Sequence, residues 1–108
     1  MKPIHWRDSG RRDLDDAAAW YAHQGGLALE LRFIAAVEAS VDLASRHPAV
    51  GSTRHAGFAP DLPVPLRFLP VHGFERYLVY YIDLPERIEA IRVWDASRGL
   101  AALMEGDE

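Results

Sequence analysis

The chain has 108 residues, 49% of them hydrophobic, which suits one domain around one core. It has no cysteine, which excludes disulfide staples and thiolate metal sites and fits a reducing cytosol. Net charge is −4, yet 12 basic residues face 13 acidic ones up to Met104, so the folded part lacks the basic excess of a non-specific nucleic-acid binder.

The N-terminus MKPIHWRDSGRRD has no apolar leader core, and no apolar run approaches the length of a membrane span. A soluble, cytoplasmic protein is therefore expected. Ile4 to Trp6 is a short strand candidate. Asp8 or Ser9 is placed to cap a helix running from about Arg11 to Gln24. Leu14, Ala17, Ala18 and Tyr21 make its apolar stripe, and Asp13, Asp15 and Asp16 suit the positive end of the helix dipole. Gly25-Gly26 ends that helix. A second one is expected from about Leu27 to Arg46, with Leu27, Leu31, Ile34, Val37, Val41 and Ala44 at steps of three and four. His47-Pro48 stops it.

From Pro48 to Pro65 the chain reads as a loop with four prolines and two glycines, long enough to suggest mobility or a binding role. Three strands follow: Leu66 to Val71, Tyr77 to Asp83 in the centre, and Arg87 to Trp94. Strict alternation puts Ile91 and Val93 on one face and Ile88, Ala90, Arg92 and Trp94 on the other. Ser97 is placed to cap a last helical turn, Arg98 to Met104. The fold class is α+β: a short N-terminal strand, then a helical hairpin packed on a mainly antiparallel sheet with a C-terminal meander and a short terminal helix. Residues 1–104 form a single domain and 105–108 an acidic tail. Leu31, Ile34, Val37, Tyr80 and Ile91 are expected in the core.

No self-sufficient catalytic motif is present. The five histidines never pair at helical ligand spacing, so no metal or cofactor is expected. No serine stands in a nucleophile elbow, and no glycine-rich phosphate loop occurs. Basic residues are eleven arginines against one lysine. Arg67, Arg76, Arg92 and Arg98 fall in or beside the strands and the terminal turn. Two readings stay open for them: solvated charges paired with nearby carboxylates, or a sheet surface that recognises a partner.

Several features together resemble the RelE/ParE superfamily of toxin–antitoxin toxins. They are Asp13-Leu14 with Trp20-Tyr21, Pro48 with Gly51, Leu66-Arg67, Tyr77-Leu78-Val79-Tyr80-Tyr81, and Ile91-Arg92-Val93 followed by Arg98. Within it the chain is more similar to ParE than to RelE, because no lysine follows Lys2, no histidine follows His72 and no tyrosine follows Tyr81. A ribosome-dependent messenger RNA endonuclease of the RelE type needs such a late proton-exchanging group. The resemblance implies a non-enzymatic toxin that inhibits DNA gyrase without direct DNA binding and is neutralised by a ParD-like antitoxin. Arg92 and Trp94 share a strand face and Arg98 begins the adjoining turn, so these three are expected as the target-binding patch. The alternative is a core Trp94 with Arg98 capping the terminal helix. Arg67 and Arg76 are expected as antitoxin contacts. A RelE-type nuclease and a nontoxic antitoxin-binding module are the alternatives. Where ParE-like chains carry His-Gly after the last strand, this one has Asp95-Ala96, then Gly99.

Overall fold

The computed structural model describes residues 1–105. Its elements are β1 (Ile4–Trp6), α1 (Asp8–Arg46), β2 (Arg67–Pro70), β3 (Tyr77–Asp83) and β4 (Ile88–Asp95), with 3-10 turns at Ala56–Phe58 and Ala96–Arg98. The long helical segment is the expected hairpin: its two limbs meet at Gly26, whose φ of 80° is a conformation that glycine adopts without steric cost. The sheet runs β1-β4-β3-β2, with β2, β3 and β4 antiparallel and β1 parallel to β4. A mixed α+β fold is thus established.

The first limb begins three residues earlier than the apolar stripe suggests. Arg7 is the N-cap and makes no side-chain cap bond. Asp8 and Ser9 are therefore inside the helix rather than capping it, and the Ser9 hydroxyl donates instead to the Ile91 carbonyl at 2.9 Å. Gly10 permits this approach, since a Cβ there would stand 2.9 Å from the Ile91 oxygen. Asp13 is consequently almost two turns into the helix, too deep for the dipole of the first turn to explain it.

Register explains the most consequential departure from strict alternation. Tyr80 pairs with Arg92 but Tyr81 pairs with Ala90, so Ile91 is an extra residue in β4, a β-bulge. The bulge separates Ile91 from Val93. Val93 joins Tyr77, Val79, Phe33, Val37 and Val41 beneath the helices, whereas Ile91 joins Tyr80, Ile82 and Trp94 on the opposite face. Ile88 packs with Tyr81 and Ala44, away from Trp94.

That opposite face is also covered. Ala59, Leu62, Val64 and Leu66 from the proline-rich segment, with Leu100, Leu103 and Met104 from the chain's last turns, close over it. The segment from 48 to 65 is a second lid on the sheet. The Tyr81 hydroxyl donates to the Pro48 carbonyl at 2.7 Å and accepts the Gly51 amide at 2.9 Å. Ser52 and Phe68 exchange both backbone bonds at 3.0 Å. The His55 ring stacks on Phe68 at 4.3 Å, with Nδ1 2.8 Å from the Tyr80 hydroxyl.

Val37, Tyr80 and Ile91 are fully buried, and Ile34 is half-buried against the core. Leu31 is not a core residue: it is 55% exposed, and Leu27 is 66% exposed. The apolar stripe of the second limb is wider than the sheet it covers, and its margin faces solvent. The expected terminal helix from Arg98 to Met104 does not form. A 3-10 turn at Ala96–Arg98 is capped by Asp95, whose carboxylate accepts from the Ser97 amide inside that turn, and the chain continues to Glu105 in non-helical turns. Of the acidic tail, Glu105 is described, and Gly106, Asp107 and Glu108 lie outside the described residues.

Candidate interaction cleft

β1 ends at Trp6, opposite Ala90, so β4 from Ile91 to Asp95 has no strand on that side. The first limb of α1 supplies what is missing. Asp13 Oδ2 accepts the Val93 amide at 3.1 Å, standing in for a neighbouring strand's carbonyl. The same carboxylate takes a fork from Arg92: Nε at 2.7 Å to Oδ2 and Nη2 at 2.8 Å to Oδ1. The Arg92 Nη1 donates to the Leu103 and Glu105 carbonyls at 3.0 and 2.9 Å. One guanidinium therefore ties helix, sheet and C-terminal segment together, in a paired and hydrogen-bonded state that makes its burial tolerable.

Trp94 lies beside Arg92, 1% exposed, with its indole N–H donating to the Gly99 carbonyl at 2.8 Å. Arg92 and Arg98 both approach its ring, at 4.6 and 4.2 Å from the centroid. The three residues singled out in the sequence do come together, but at different depths. Arg92 and Trp94 are buried, and Arg98 is the exposed member. Burial turns Arg92 and Trp94 inward, where they form the seat on which Arg98 rests.

The two other arginines part company. Arg67 donates to the Ala49 and Gly51 carbonyls at 3.1 and 2.9 Å, and so pins the proline-rich segment. Arg76 binds Asp95 through Nε and Nη2 at 3.2 and 2.8 Å and lies 5.7 Å from the Trp20 ring centroid. Mainly through these bonds, Arg76 holds the Asp95 carboxyl down at about 2. Burial raises the phenol pKa of Tyr77 and of neighbouring Tyr21.

Arg76 and Arg98 thus share one open cleft of about 270 Å³, bounded by the first limb of α1 and the ends of β3 and β4. Asp13, Asp16, Ala17 and Trp20 form the helical wall. Tyr77, Val93 and Asp95 line the sheet side.

A family described as the ParE toxin of type II toxin–antitoxin system, parDE, matches residues 4–100. The chain belongs to the ParE toxin family. ParE-family toxins are components of type II toxin–antitoxin systems, the class in which this chain is placed. A solved structure described as the chromosomal ParDE TA system from P. aeruginosa shares the fold. It superposes with a TM-score of 0.68 at 17% identity, over 86% of this chain and 94% of that one. A comparison with curated proteins finds no match.

The helical wall of the cleft in this ParE-family chain was missed in the sequence. Trp20 sits at the margin of the stripe formed by Leu14, Ala17, Ala18 and Tyr21, and remains 46% exposed. A large aromatic at the edge of a helical stripe was the available signal. Asp13's role had no local signal, because its partner Arg92 lies 79 positions away.

Proposed function

We propose that this ParE-family chain is a binding toxin that inhibits DNA gyrase by protein contact and is neutralised by a ParD-like antitoxin. The observation that carries the reading is Arg98, exposed and stacked at 4.2 Å on a buried tryptophan that Arg92 supports from below. Arg and Trp dominate the energetic centres of protein interfaces, and a stacked guanidinium has less freedom to lose on binding. The lining groups with perturbed titration, Tyr77 and Asp95, move away from neutrality, which favours binding over acid–base hydrolysis. Gyrase as the target places the protein's action in the cytoplasm.

The antitoxin fits a different surface. Leu27, Leu31, Ile34, Glu38, Val41 and Asp42 fall on one side of the second limb by helical spacing. Ile4 and Trp6 of β1 meet Val41, Glu38 and Asp42 in a shallow groove. From Leu27 to Asp42 this strip is roughly 22 Å long, the span of about four helical turns. An amphipathic antitoxin segment laid along it would bury the exposed leucines and present basic groups to Glu38 and Asp42. Arg67 is engaged by loop carbonyls and Arg76 by Asp95, which favours this strip over those two arginines as the main antitoxin contact.

Purified protein, with and without the antitoxin encoded beside it, is tested in gyrase supercoiling and in cleavage of ribosome-bound messenger RNA. Inhibited supercoiling that the antitoxin relieves supports the reading. Messenger cleavage with intact supercoiling would replace it with the RelE-type alternative. Absence of both activities and of growth arrest would leave a nontoxic antitoxin-binding module.

A further inference from the structure

The cleft beneath Arg98 holds two opposite charges that the fold leaves without partners. Asp13 is taken by Arg92, and Asp95 by Arg76. Among the described residues, Asp16 on the helical wall and Arg98 on the opposite side have neither a hydrogen bond nor an ion pair. Between them lie the buried Ala17 and Val93, with the half-exposed Trp20 as an aromatic wall.

We propose that this cleft docks a segment of the toxin's protein target that presents a carboxylate beside an aliphatic or aromatic side chain. The carboxylate meets Arg98, and the apolar side chain lies against Trp20 and Ala17. Three arguments select this occupant. Stacking on Trp94 fixes the guanidinium plane, leaving its N–H edge available for a forked bond to a carboxylate. Asp13 and Asp95 are neutralised by Arg92 and Arg76, which leaves Arg98 set against Asp16 and no surplus positive charge for a polyphosphate, so the anion is a single carboxylate. The volume of about 270 Å³ falls below the roughly 300–1,000 Å³ of sites that enclose small molecules, yet accepts one or two side chains of a larger partner. The inference rests on the toxin reading above and adds the first helical limb, through Trp20, to the contact surface.

The test compares wild type with Trp20→Ala, Trp20→Glu, Arg98→Glu and Arg98→Lys. Circular dichroism and thermal melting verify folding, and co-purification with the antitoxin gives an independent check on the surface. Each glutamate variant is expected to raise the concentration needed for half-inhibition of gyrase supercoiling at least tenfold. Trp20→Ala should follow by a smaller factor, and Arg98→Lys should fall between wild type and Arg98→Glu. All four should melt like wild type and retain the antitoxin. Unchanged inhibition by folded Trp20→Ala and Trp20→Glu would overturn the cleft while leaving gyrase as the target. If wild type arrests growth without touching gyrase, gyrase is the wrong target, and growth arrest by the variants then decides the cleft: loss supports it, retention overturns it. Loss of antitoxin capture with inhibition intact would overturn the proposal in favour of the antitoxin as occupant.

Discussion

Asp13 and Arg92, 79 positions apart, meet in a two-bonded ion pair whose carboxylate also holds the Val93 amide. The side chains are only 13% and 9% exposed, so neither charge can be left alone cheaply. Arg92→Ala should destabilise the protein by about 3–5 kcal/mol, the range for breaking a buried pair by removing one partner. Arg98→Ala should cost no more than about 1 kcal/mol, the scale of an exposed cation–π contact. Urea denaturation of the two variants reads both outcomes. Growth inhibition lost in Arg92→Ala would therefore report on folding, and of these two variants Arg98→Ala is the one that reports on contact.

Gly10 sits under the bulge of β4 with no room for a methyl group, its Cβ position lying 2.9 Å from a backbone oxygen. Gly10→Ala should cost about 1–3 kcal/mol, typical of overpacking, despite alanine's better helix propensity. Gly57→Ala, which meets nothing within 4 Å, is the control. Thermal melting should separate the two clearly.

Tyr81 joins β3 to the second lid through one hydroxyl. Tyr81→Phe leaves the Gly51 amide and the Pro48 carbonyl without that partner, at a cost of about 1–3 kcal/mol. Limited proteolysis should then cut between residues 48 and 65 faster than in wild type, with other sites unaffected.

Asp95 titrates at about 2 in the folded protein, below the ordinary value of 3.8. Its stabilising contribution is fully present above pH 3.8 and is lost as pH falls through 2. The partner Arg76 is half exposed, so the effect is modest and screened by salt. Asp95→Asn should flatten the acid limb of the stability curve over that window, as measured by denaturant midpoints from pH 5 to pH 2.

His55 behaves in the same direction at milder pH. Burial first, and Arg54 second, hold its pKa below 6.5. The folded state therefore disfavours the proton, and stability present above pH 6.5 is lost as pH falls through the lowered value. His55→Gln should remove this slope between pH 7.5 and pH 5. A wild-type midpoint that is flat across that interval would contradict it.

The hairpin, its turn at Gly26, the stop at His47-Pro48 and the three-strand meander were all legible because each rests on local pattern. Glycine's allowed φ and proline's effect on its predecessor act over one or two residues. The sides of β4 were not legible beyond Ala90, because one extra residue at Ile91 shifts alternation without changing composition. Leu31 misled for a related reason: periodicity reports an apolar stripe, and only the width of the sheet decides how much of it is covered. Arg92 looked like a surface contact because its partner is contributed by the other end of the chain. The aromatic seat of Arg98 could be read, since Arg92, Trp94 and Arg98 are near neighbours in sequence; their depths could not.

The parallel pairing of β1 with β4 has a consequence in time. Ile4 finds Ile88 as its register partner, and Pro3 accepts the Ile88 amide at 2.9 Å. A chain emerging from the ribosome makes β1 well before its partner, with the helical hairpin and two other strands in between. Until residues beyond Arg92 are exposed, Gly10 has no bulge to rest on and Asp13 no guanidinium. Loop closure over such separations slows folding. The nascent polypeptide thus lacks the seat of Arg98 until β4 has been made, and whatever activity that seat confers arrives only once β1 and the first helical limb have met β4.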